Sequence, residues 1–436
     1  MAGDVGIHEV AIVGGAGAPD VSELAALVAE EGGAATHRYG RRVLIAAISP
    51  EGARAVERQV PAVTVTTDTR AIPEAVTSGL DEIEAVGLEA FALRQSDEYA
   101  AAKARRPLDG EPWNTEEALP PDAPAAEEYE VPEAESVPAG ARLNGRVAVG
   151  IIFVDGPAAH SLQFTAAERT NAVAEVQNGL TQLATLALPP TFSRVTWVYD
   201  TQTVAVNVAP TYDPTPNYEA GEAPWRDPAL DDLGYEAGYA GVRAYVGDLR
   251  TRLNTDSAYC GFFTKYPLHH FAYVQEIGSG PHLVMNYDND GWGPENIDRV
   301  FAHETGHIFG APDEYSGAPT CECKYLYGFC QKPNANCAVC APGGGVVCIM
   351  KNNDWQMCRY TPLHLGFNVR VPDACRPGRE MSQPQAAQAM RNAFLEPFFT
   401  GQHGSNAWVH SQSPGGGAEV PVCSRVILQL TTRPKP

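Results

Sequence analysis

The first 70 residues alternate between short apolar runs and longer stretches with helical periodicity. The apolar runs have the length and β-branched content of strands, and the two longer stretches place apolar residues three or four positions apart. Read in chain order, the pattern predicts β-α-β-β-α-β, a small α+β domain over residues 1–70. Ser49 precedes the second helical stretch and is suited to cap it, because its hydroxyl can accept from free N–H groups of the first turn.

Two segments of different character follow this domain. Residues 71–108 show a helical pattern of mixed charge and are predicted to form a connector. Residues 109–145 are acidic and rich in Pro and Ala, with ten Asp or Glu and no Lys or Arg between Asp109 and Gly140. Because this composition has little apolar area to bury, we expect a linker there.

Residues 146–375 show the strand and helix alternation of an α/β layer. A Pro-, Gly- and acid-rich stretch at 209–234 is predicted to be a long loop. Residues 376–436 contain one further strand pattern, at 425–430, and are predicted to form a C-terminal extension. The strand patterns before the C-terminal extension lie at 147–154, 193–198, 269–275 and 282–286, and the helical patterns at 165–187 and 242–253.

Charge narrows the range of partners. The formal net charge is -22, and a surface that binds nucleic acid or an anionic membrane needs an excess of Lys and Arg instead. No apolar run reaches the roughly 20 residues of a membrane span. The sequence therefore favours a protein or peptide partner, with no nucleic acid and no membrane.

The cysteines are concentrated in one region. Eight of the ten lie between Cys321 and Cys375, a density typical of disulfide-bonded extracellular proteins. The N-terminus has no recognisable signal peptide, so the compartment stays open, with the cysteines favouring an extracellular one. A four-sulfur zinc site is the alternative, at Cys321, Cys323, Cys337 and Cys340.

The segment His303-Glu304-Thr305-Gly306-His307 carries the strongest chemical signal. On a helix, residues i and i+4 lie on one face, so His303 and His307 can bind the same ion. Glu304 is adjacent and can act as general base toward the water that such an ion activates. The alternative is a helix whose histidines are only structural.

The continuation strengthens the metal prediction. Gly310 is suited to end the helix because glycine adopts positive φ at low cost, and the chain can then turn back toward the histidines. Asp313, three residues later, is the predicted third ligand.

The segment HETGHIFGAPDEY resembles the extended zinc-binding motif of the metzincin peptidases, and within them most closely that of the snapalysins, whose third ligand is Asp. The resemblance implies a zinc ion held by His303, His307 and Asp313, with Glu304 as catalytic base and Tyr315 as a candidate to stabilise the oxyanion. It also implies an α/β fold, with a mostly parallel five-stranded sheet, an antiparallel edge strand and a Met-turn.

Met350 matches the methionine of that turn, an apolar floor beneath the metal. Many metzincins carry Tyr two residues later, where this chain has Asn352. Cys348 and Cys358 bracket the turn and could be bonded to each other or belong to neighbouring disulfides.

The N-terminal β-α-β-β-α-β order is that of a ferredoxin-like unit. It also resembles the propeptide and inhibitor domains of subtilisin-type proteases, on the segments 37–40 and 49–68. That resemblance implies a domain that inhibits the catalytic unit in cis. An unrelated α+β domain is the alternative.

The function that the sequence favours is zinc-dependent endopeptidase activity. Two alternatives use the same ligands: a non-catalytic, zinc-stabilised protein-binding module, and a zinc amidase that acts on a non-peptide substrate. A calcium site is a weaker expectation. The run from Asp288 to Gly291 resembles the start of a calcium loop, but it lacks the downstream Glu and is better explained as a turn.

Overall fold

The computed structural model describes residues 7–115, 142–210, 218–268, 270–274, 281–318, 323–340, 344–404 and 407–432. Most of the predicted acidic linker, residues 116–141, lies outside this part of the chain, as does Cys321. The fold is mixed α/β with a large mixed sheet.

The N-terminal unit has the predicted β-α-β-β-α-β order. Ser49 caps its second helix as expected, since its Oγ accepts from the N–H of Gly52 at 3.1 Å. Alternate residues of the strands face α1 and α2 and form a small apolar core with them. The elements are β1 His8–Gly14, α1 Val21–Glu30, β2 Ala34–Tyr39, β3 Val43–Ile48, α2 Pro50–Gln59 and β4 Val63–Thr66.

The connector is helical, as predicted. Its longest helix, α4, begins with a capping box between Asp81 and Glu84 and packs against α6 of the next unit. The helices are α3 Glu74–Thr77, α4 Glu82–Arg94 and α5 Asp97–Lys103.

The central unit contains the predicted strands and helices, with most ends within four residues; the strand predicted at 193–198 extends to Ala205, and the strand Ser257–Thr264 was not predicted. Its elements are β5 Gly145–Asp155, α6 Ala166–Thr185, β6 Thr191–Phe192, β7 Val195–Ala205, α7 Tyr218–Asp232, α8 Gly238–Arg252, β8 Ser257–Thr264, β9 Ala272–Val274, β10 His282–Asn286 and α9 Ile297–Ile308.

The long loop predicted at 209–234 is wrong for its second half, which forms α7. Two prolines lie inside this helix, Pro224 and Pro228, and they made the segment read as irregular. Apolar burial outweighs them. Trp225, Ala229 and Leu230 recur at helical spacing and are buried against the sheet.

The C-terminal part contains more structure than the single predicted strand. A helix packs on a three-stranded sheet of order β12-β15-β13, and together they enclose a separate apolar core. The elements are α10 Thr361–His364, β11 Asn368–Arg370, α11 Gln383–Asn392, β12 Glu396–Gly401, β13 Trp408–Ser413, β14 Glu419–Pro421 and β15 Arg425–Thr431.

The main sheet runs through both the N-terminal and the central unit. Its order is β4-β1-β3-β2-β7-β5-β8-β10-β9, so the expected separate sheet of five strands is not confirmed. The two units meet where β2 pairs in parallel with β7, with His37 opposite Trp197. From β7 to β10 neighbouring strands are parallel, and β9 is antiparallel at the edge.

Helices cover both faces of this sheet. On one face α4, α6 and α9 share the largest apolar core, and on the other α7 and α8 pack over β5 and β8. Every residue of α9 is buried, which fixes this helix between the sheet and α6. None of the described helices combines the length and apolarity that a membrane crossing requires.

Candidate functional site

Helix α9 places the two predicted histidines and then ends as expected. Gly310 has φ of 87°, a conformation that favours glycine. The Ala311 N–H donates to Gly306 O at 2.9 Å and the Gly310 N–H donates to His307 O at 2.9 Å, the two bonds of a Schellman motif. The chain therefore reverses direction directly after His307.

Backbone carbonyls hold both imidazole rings in place. His303 Nδ1 donates to Ile349 O at 3.0 Å, and His307 Nδ1 donates to Ala311 O at 2.7 Å. Both rings therefore carry their proton on Nδ1 and turn the lone pair of Nε2 toward the same point, 3.1 Å apart. Hydrogen bonds of this kind orient metal-binding histidines in proteins.

Asp313 completes the group. Its Oδ1 lies 3.1 Å from His303 Nε2 and 3.2 Å from His307 Nε2, so the three atoms form a nearly equilateral triangle. Burial acts to raise the pKa of the Asp313 carboxyl, but the positive charge and hydrogen bonding of His307 and His303, when these rings take up a second proton, outweigh it and hold that pKa below its usual range. Asp313 is therefore a carboxylate, the form that binds metals.

The three side chains fit a small divalent ion. An ion centred over this triangle can lie about 2 Å from each atom, the length of zinc bonds to nitrogen and to carboxylate oxygen. All three residues are buried, and their donor atoms come from residues that fixed backbone elements hold in place. The structure thus brings together a group that could hold a metal ion.

Glu304 and Tyr315, the predicted catalytic residues, are both buried, and in the sequence both lie next to the three proposed ligands. Glu304 follows His303 on α9 and is fully buried. Tyr315 lies two residues after Asp313, within the largest apolar core. Their predicted roles remain predictions.

Met350 lies in a tight turn under α9. The N–H groups of Lys351 and Asn352 both donate to Cys348 O at 2.8 Å, and Met350 O accepts from the Glu314 N–H at 2.8 Å. Met350 contacts α9 at Gly306, where a β-carbon would lie only 2.7 Å from the methionine sulfur. A methionine beneath the two histidines therefore requires a glycine between them.

A segment that the sequence assigned partly to the linker also reaches this site. We call residues 106–114 the strap. The strap lies alongside α9 and the Met350 turn. Arg106 forms an ion pair with Asp298 at 2.7 Å, and the N–H groups of Gly110 and Trp113 donate to Asn353 O and Lys351 O, respectively. The acidic composition of 109–145 concealed this packing.

Trp113 is the strap residue closest to the metal group. It is fully buried, its Nε1 donates to Ile349 O at 2.6 Å, and its ring centroid lies 5.3 Å from that of His303. Ile349 O therefore accepts hydrogen bonds from both Trp113 Nε1 and His303 Nδ1. A single Trp in an acidic, Pro-rich stretch was the signal that could have pointed to this contact.

The cysteines divide into disulfides and free thiols. Cys323 is bonded to Cys337, and Cys330 to Cys423, which rules out a four-sulfur zinc site that uses Cys323 and Cys337 as thiolates. Cys348 and Cys358 are buried free thiols, so the possible bond between them is not formed. They lie instead with Glu314 in a second group whose ligand atoms are all within 4.8 Å of one another.

The calcium expectation finds little support in the described part of the chain. Residues 289–291 form a 3-10 turn, as the alternative predicted, and Asn289 is buried with its Nδ2 donating to Gly293 O at 3.1 Å. The side chain of Asp290 lies outside the described residues. The two described groups with three metal-binding side chains do not include this turn.

Comparison with known proteins gives no match, neither to a model of a protein family nor to a curated protein. The site therefore has to be interpreted from its own geometry.

Proposed function

We propose that this chain is a zinc-dependent endopeptidase of the metzincin type. The observation that carries the proposal is the triangle of His303 Nε2, His307 Nε2 and Asp313 Oδ1, with both imidazoles pinned at Nδ1 and Glu304 next to His303. Two nitrogens and one carboxylate oxygen leave a tetrahedral ion one free position, the arrangement of catalytic zinc sites. Zinc bound there would supply Lewis acidity, which polarises a carbonyl and lowers the pKa of bound water toward neutrality.

The residues of the chain would do the rest. Glu304 would accept the proton of the attacking water and pass it to the leaving amine, and its full burial makes that transfer sensitive to its exact position. Tyr315 is our candidate to stabilise the oxyanion. Met350, pressed against Gly306, would keep the two histidines at a constant separation.

The strand order around the site supports the same proposal. Strand β9 is short, antiparallel and at the edge of the sheet, and α9 packs against it. An extended peptide could add to such an edge through backbone hydrogen bonds, which would align a scissile bond with the metal group.

We also propose that the N-terminal unit restrains the catalytic unit in cis. The metal group is enclosed, with the side chain of Asp313 only 5% exposed, and the strap packs beside it.

The test compares Glu304→Gln with the wild type. Both proteins are assayed for zinc content and for cleavage of casein, as full chains and after limited proteolysis. We expect the variant to keep its zinc and lose at least about 100-fold in cleavage rate, the lower end of the usual range for a general base. The control is Glu219→Gln, an exposed position on α7, on the other face of the sheet.

Three results would contradict the proposal. Undiminished cleavage by Glu304→Gln would refute the assignment of Glu304 as the general base. Absence of cleavage by the zinc-loaded wild type, in either form, would favour the non-catalytic module, and turnover of only non-peptide amides would favour the amidase.

A further inference from the structure

A second cluster of metal-binding side chains lies behind the Met350 turn. Glu314 follows the proposed ligand Asp313, and Cys348 and Cys358 lie at the two ends of the turn. All three are at most 1% exposed. No sequence motif links these three residues, because Glu314 is distant from the two cysteines along the chain.

The donor atoms of this cluster face one another. Cys358 Sγ lies 3.1 Å from Glu314 Oε1, and Thr361 Oγ1 lies 3.2 Å from each of the two sulfurs and 3.3 Å from the same carboxylate oxygen. A tetrahedral ion with bonds of about 2.0 Å to oxygen and about 2.3 Å to sulfur separates its ligands by about 3.3 to 3.8 Å. These four distances are close to those that such a site requires, and the donor atoms of Glu314, Cys348 and Cys358 all lie within 4.8 Å of one another.

Backbone N–H groups point at both sulfurs. Cys348 Sγ accepts from the Cys358 N–H at 3.3 Å, and Cys358 Sγ accepts from the N–H groups of Tyr360 and Thr361 at 3.4 Å. Donors directed at a sulfur stabilise its thiolate form, and such outer contacts are typical of metal-bound cysteines.

Charge also favours a cation here. Among the described residues no Lys or Arg lies within ion-pair distance of Glu314, although it interacts electrostatically with Lys351, and burial raises the pKa of its carboxyl. Its Oε2 accepts from Asn336 Nδ2 at 2.6 Å. A buried carboxylate costs several kcal/mol unless a positive charge or further donors compensate it. One divalent ion would neutralise Glu314 and both thiolates together, leaving a net charge of about -1.

A disulfide between Cys348 and Cys358 is the competing outcome. It would remove the S–H group with which Cys358 donates to Glu314, and the buried carboxylate would lose a donor. Disulfides do form elsewhere in the same region, as the bond between Cys323 and Cys337 shows.

We propose that Glu314, Cys348 and Cys358 bind a second, structural ion of the thiolate-preferring divalent class, such as zinc, with Thr361 Oγ1 as the nearest fourth donor. Binding is coordination without a redox step: both thiols lose their protons to solvent as the ion enters. The ion would join the loop after Asp313 to both ends of the Met350 turn. This proposal does not depend on peptidase activity.

The first measurement needs no variant. The wild type is refolded with Co²⁺ in place of zinc and its near-ultraviolet absorption is recorded. We expect an intense sulfur-to-cobalt charge-transfer band, which the His303, His307 and Asp313 group cannot produce because it contains no sulfur. Absence of the band in cobalt-loaded protein would overturn the proposal.

The second measurement counts zinc in Cys348→Ser and Cys358→Ser. We expect about two ions per chain in the wild type and about one in each variant, and about two in the control Cys260→Ser, a buried free thiol of β8. Replacing His303 by Ala should leave about one ion and the full cobalt band, which separates this site from the proposed catalytic one.

Thiol labelling covers variants that fail to fold. Wild-type protein is denatured without reductant, with chelator present, and treated with an alkylating reagent. Alkylation of Cys348 and Cys358 is expected. Recovery of a peptide in which the two are joined would show the disulfide and overturn the proposal.

Discussion

Gly306 shows how one residue couples helix α9 to the turn beneath it. It lies between His303 and His307, and Met350 occupies the space that a side chain would need. Glycine inside a helix costs about 1 kcal/mol relative to alanine, so its presence here indicates a packing requirement that outweighs helix propensity. Sequence patterns placed the histidines but did not reveal why a glycine separates them.

Gly306→Ala should therefore destabilise the protein and weaken its metal binding. Its new β-carbon would lie 2.7 Å from Met350 Sδ, so the Met350 side chain has to shift and press on the turn that carries Ile349 O, the acceptor of His303. We expect a loss of about 1 to 3 kcal/mol in the free energy of unfolding, measured with denaturant, and a lower zinc occupancy.

The control for this prediction is Gly247→Ala on α8, where a β-carbon would meet nothing within 4 Å. That change should leave zinc unaffected and stabilise the helix slightly. Equal behaviour of the two variants would show that contact with Met350 is unimportant.

At the scale of elements, the strap is the feature that local pattern could not predict. Its acidic, Pro-rich composition is that of a linker, yet Trp113 supplies an anchor whose contacts are with residues more than a hundred positions away. Elements with strong periodicity, such as α6 and α8, were predicted well, because period alone identifies them. Helix α7 was not, because its prolines outweighed its buried face in the sequence pattern.

Trp113→Ala should loosen the metal site and lower stability. It removes a fully buried ring beside His303, and such truncations cost about 3 to 5 kcal/mol. We expect a faster loss of zinc to a chelator, followed by a colorimetric indicator, and a lower melting temperature.

Two further variants define the cause. Trp113→Phe keeps most of the ring and loses only the hydrogen bond to Ile349 O, so it should cost about 1 kcal/mol. Trp408→Ala, at a position 40% exposed on β13, should leave zinc release unchanged. If Trp113→Ala released zinc as slowly as the wild type, the strap would not be a support of the metal site.

At the scale of the whole molecule, one sheet joins the two units that the sequence separates. Local patterns gave the element order of each unit, but the pairing of β2 with β7 joins strands far apart in the chain and leaves no local trace. His37 lies at this seam. It is fully buried, with Tyr199 Oη 2.9 Å from its Nδ1 and Thr181 Oγ1 2.7 Å from its Nε2.

The seam should make stability depend on pH. Burial, and then the charge of Arg94, hold the pKa of His37 well below its usual value, while in the unfolded chain it titrates near about 6.5. Below that pH the unfolded state binds a proton that the folded state refuses, so the free energy of unfolding falls as pH decreases, by at most about 1.4 kcal/mol per unit.

Denaturant unfolding between pH 7 and pH 5 measures this dependence. His37→Gln should reduce it, because the side chain at the seam can no longer take up a proton, and the remaining slope would include His364, whose pKa burial lowers to about 4. His410→Gln, at an exposed position of β13, should keep the wild-type slope. An unchanged slope in His37→Gln would assign the pH dependence to other groups.

The joined sheet also determines what a single backbone cut would achieve. Cleavage between residues 115 and 142 would break the covalent connection, but the pairing of β2 with β7, the packing of α4 on α6 and the bonds of the strap would still hold the two fragments together. The nicked protein would migrate as one species under native conditions and as two bands only after denaturation. Activation by such a cut would then take two steps. Cleavage would come first, and the slower dissociation of the N-terminal fragment would follow.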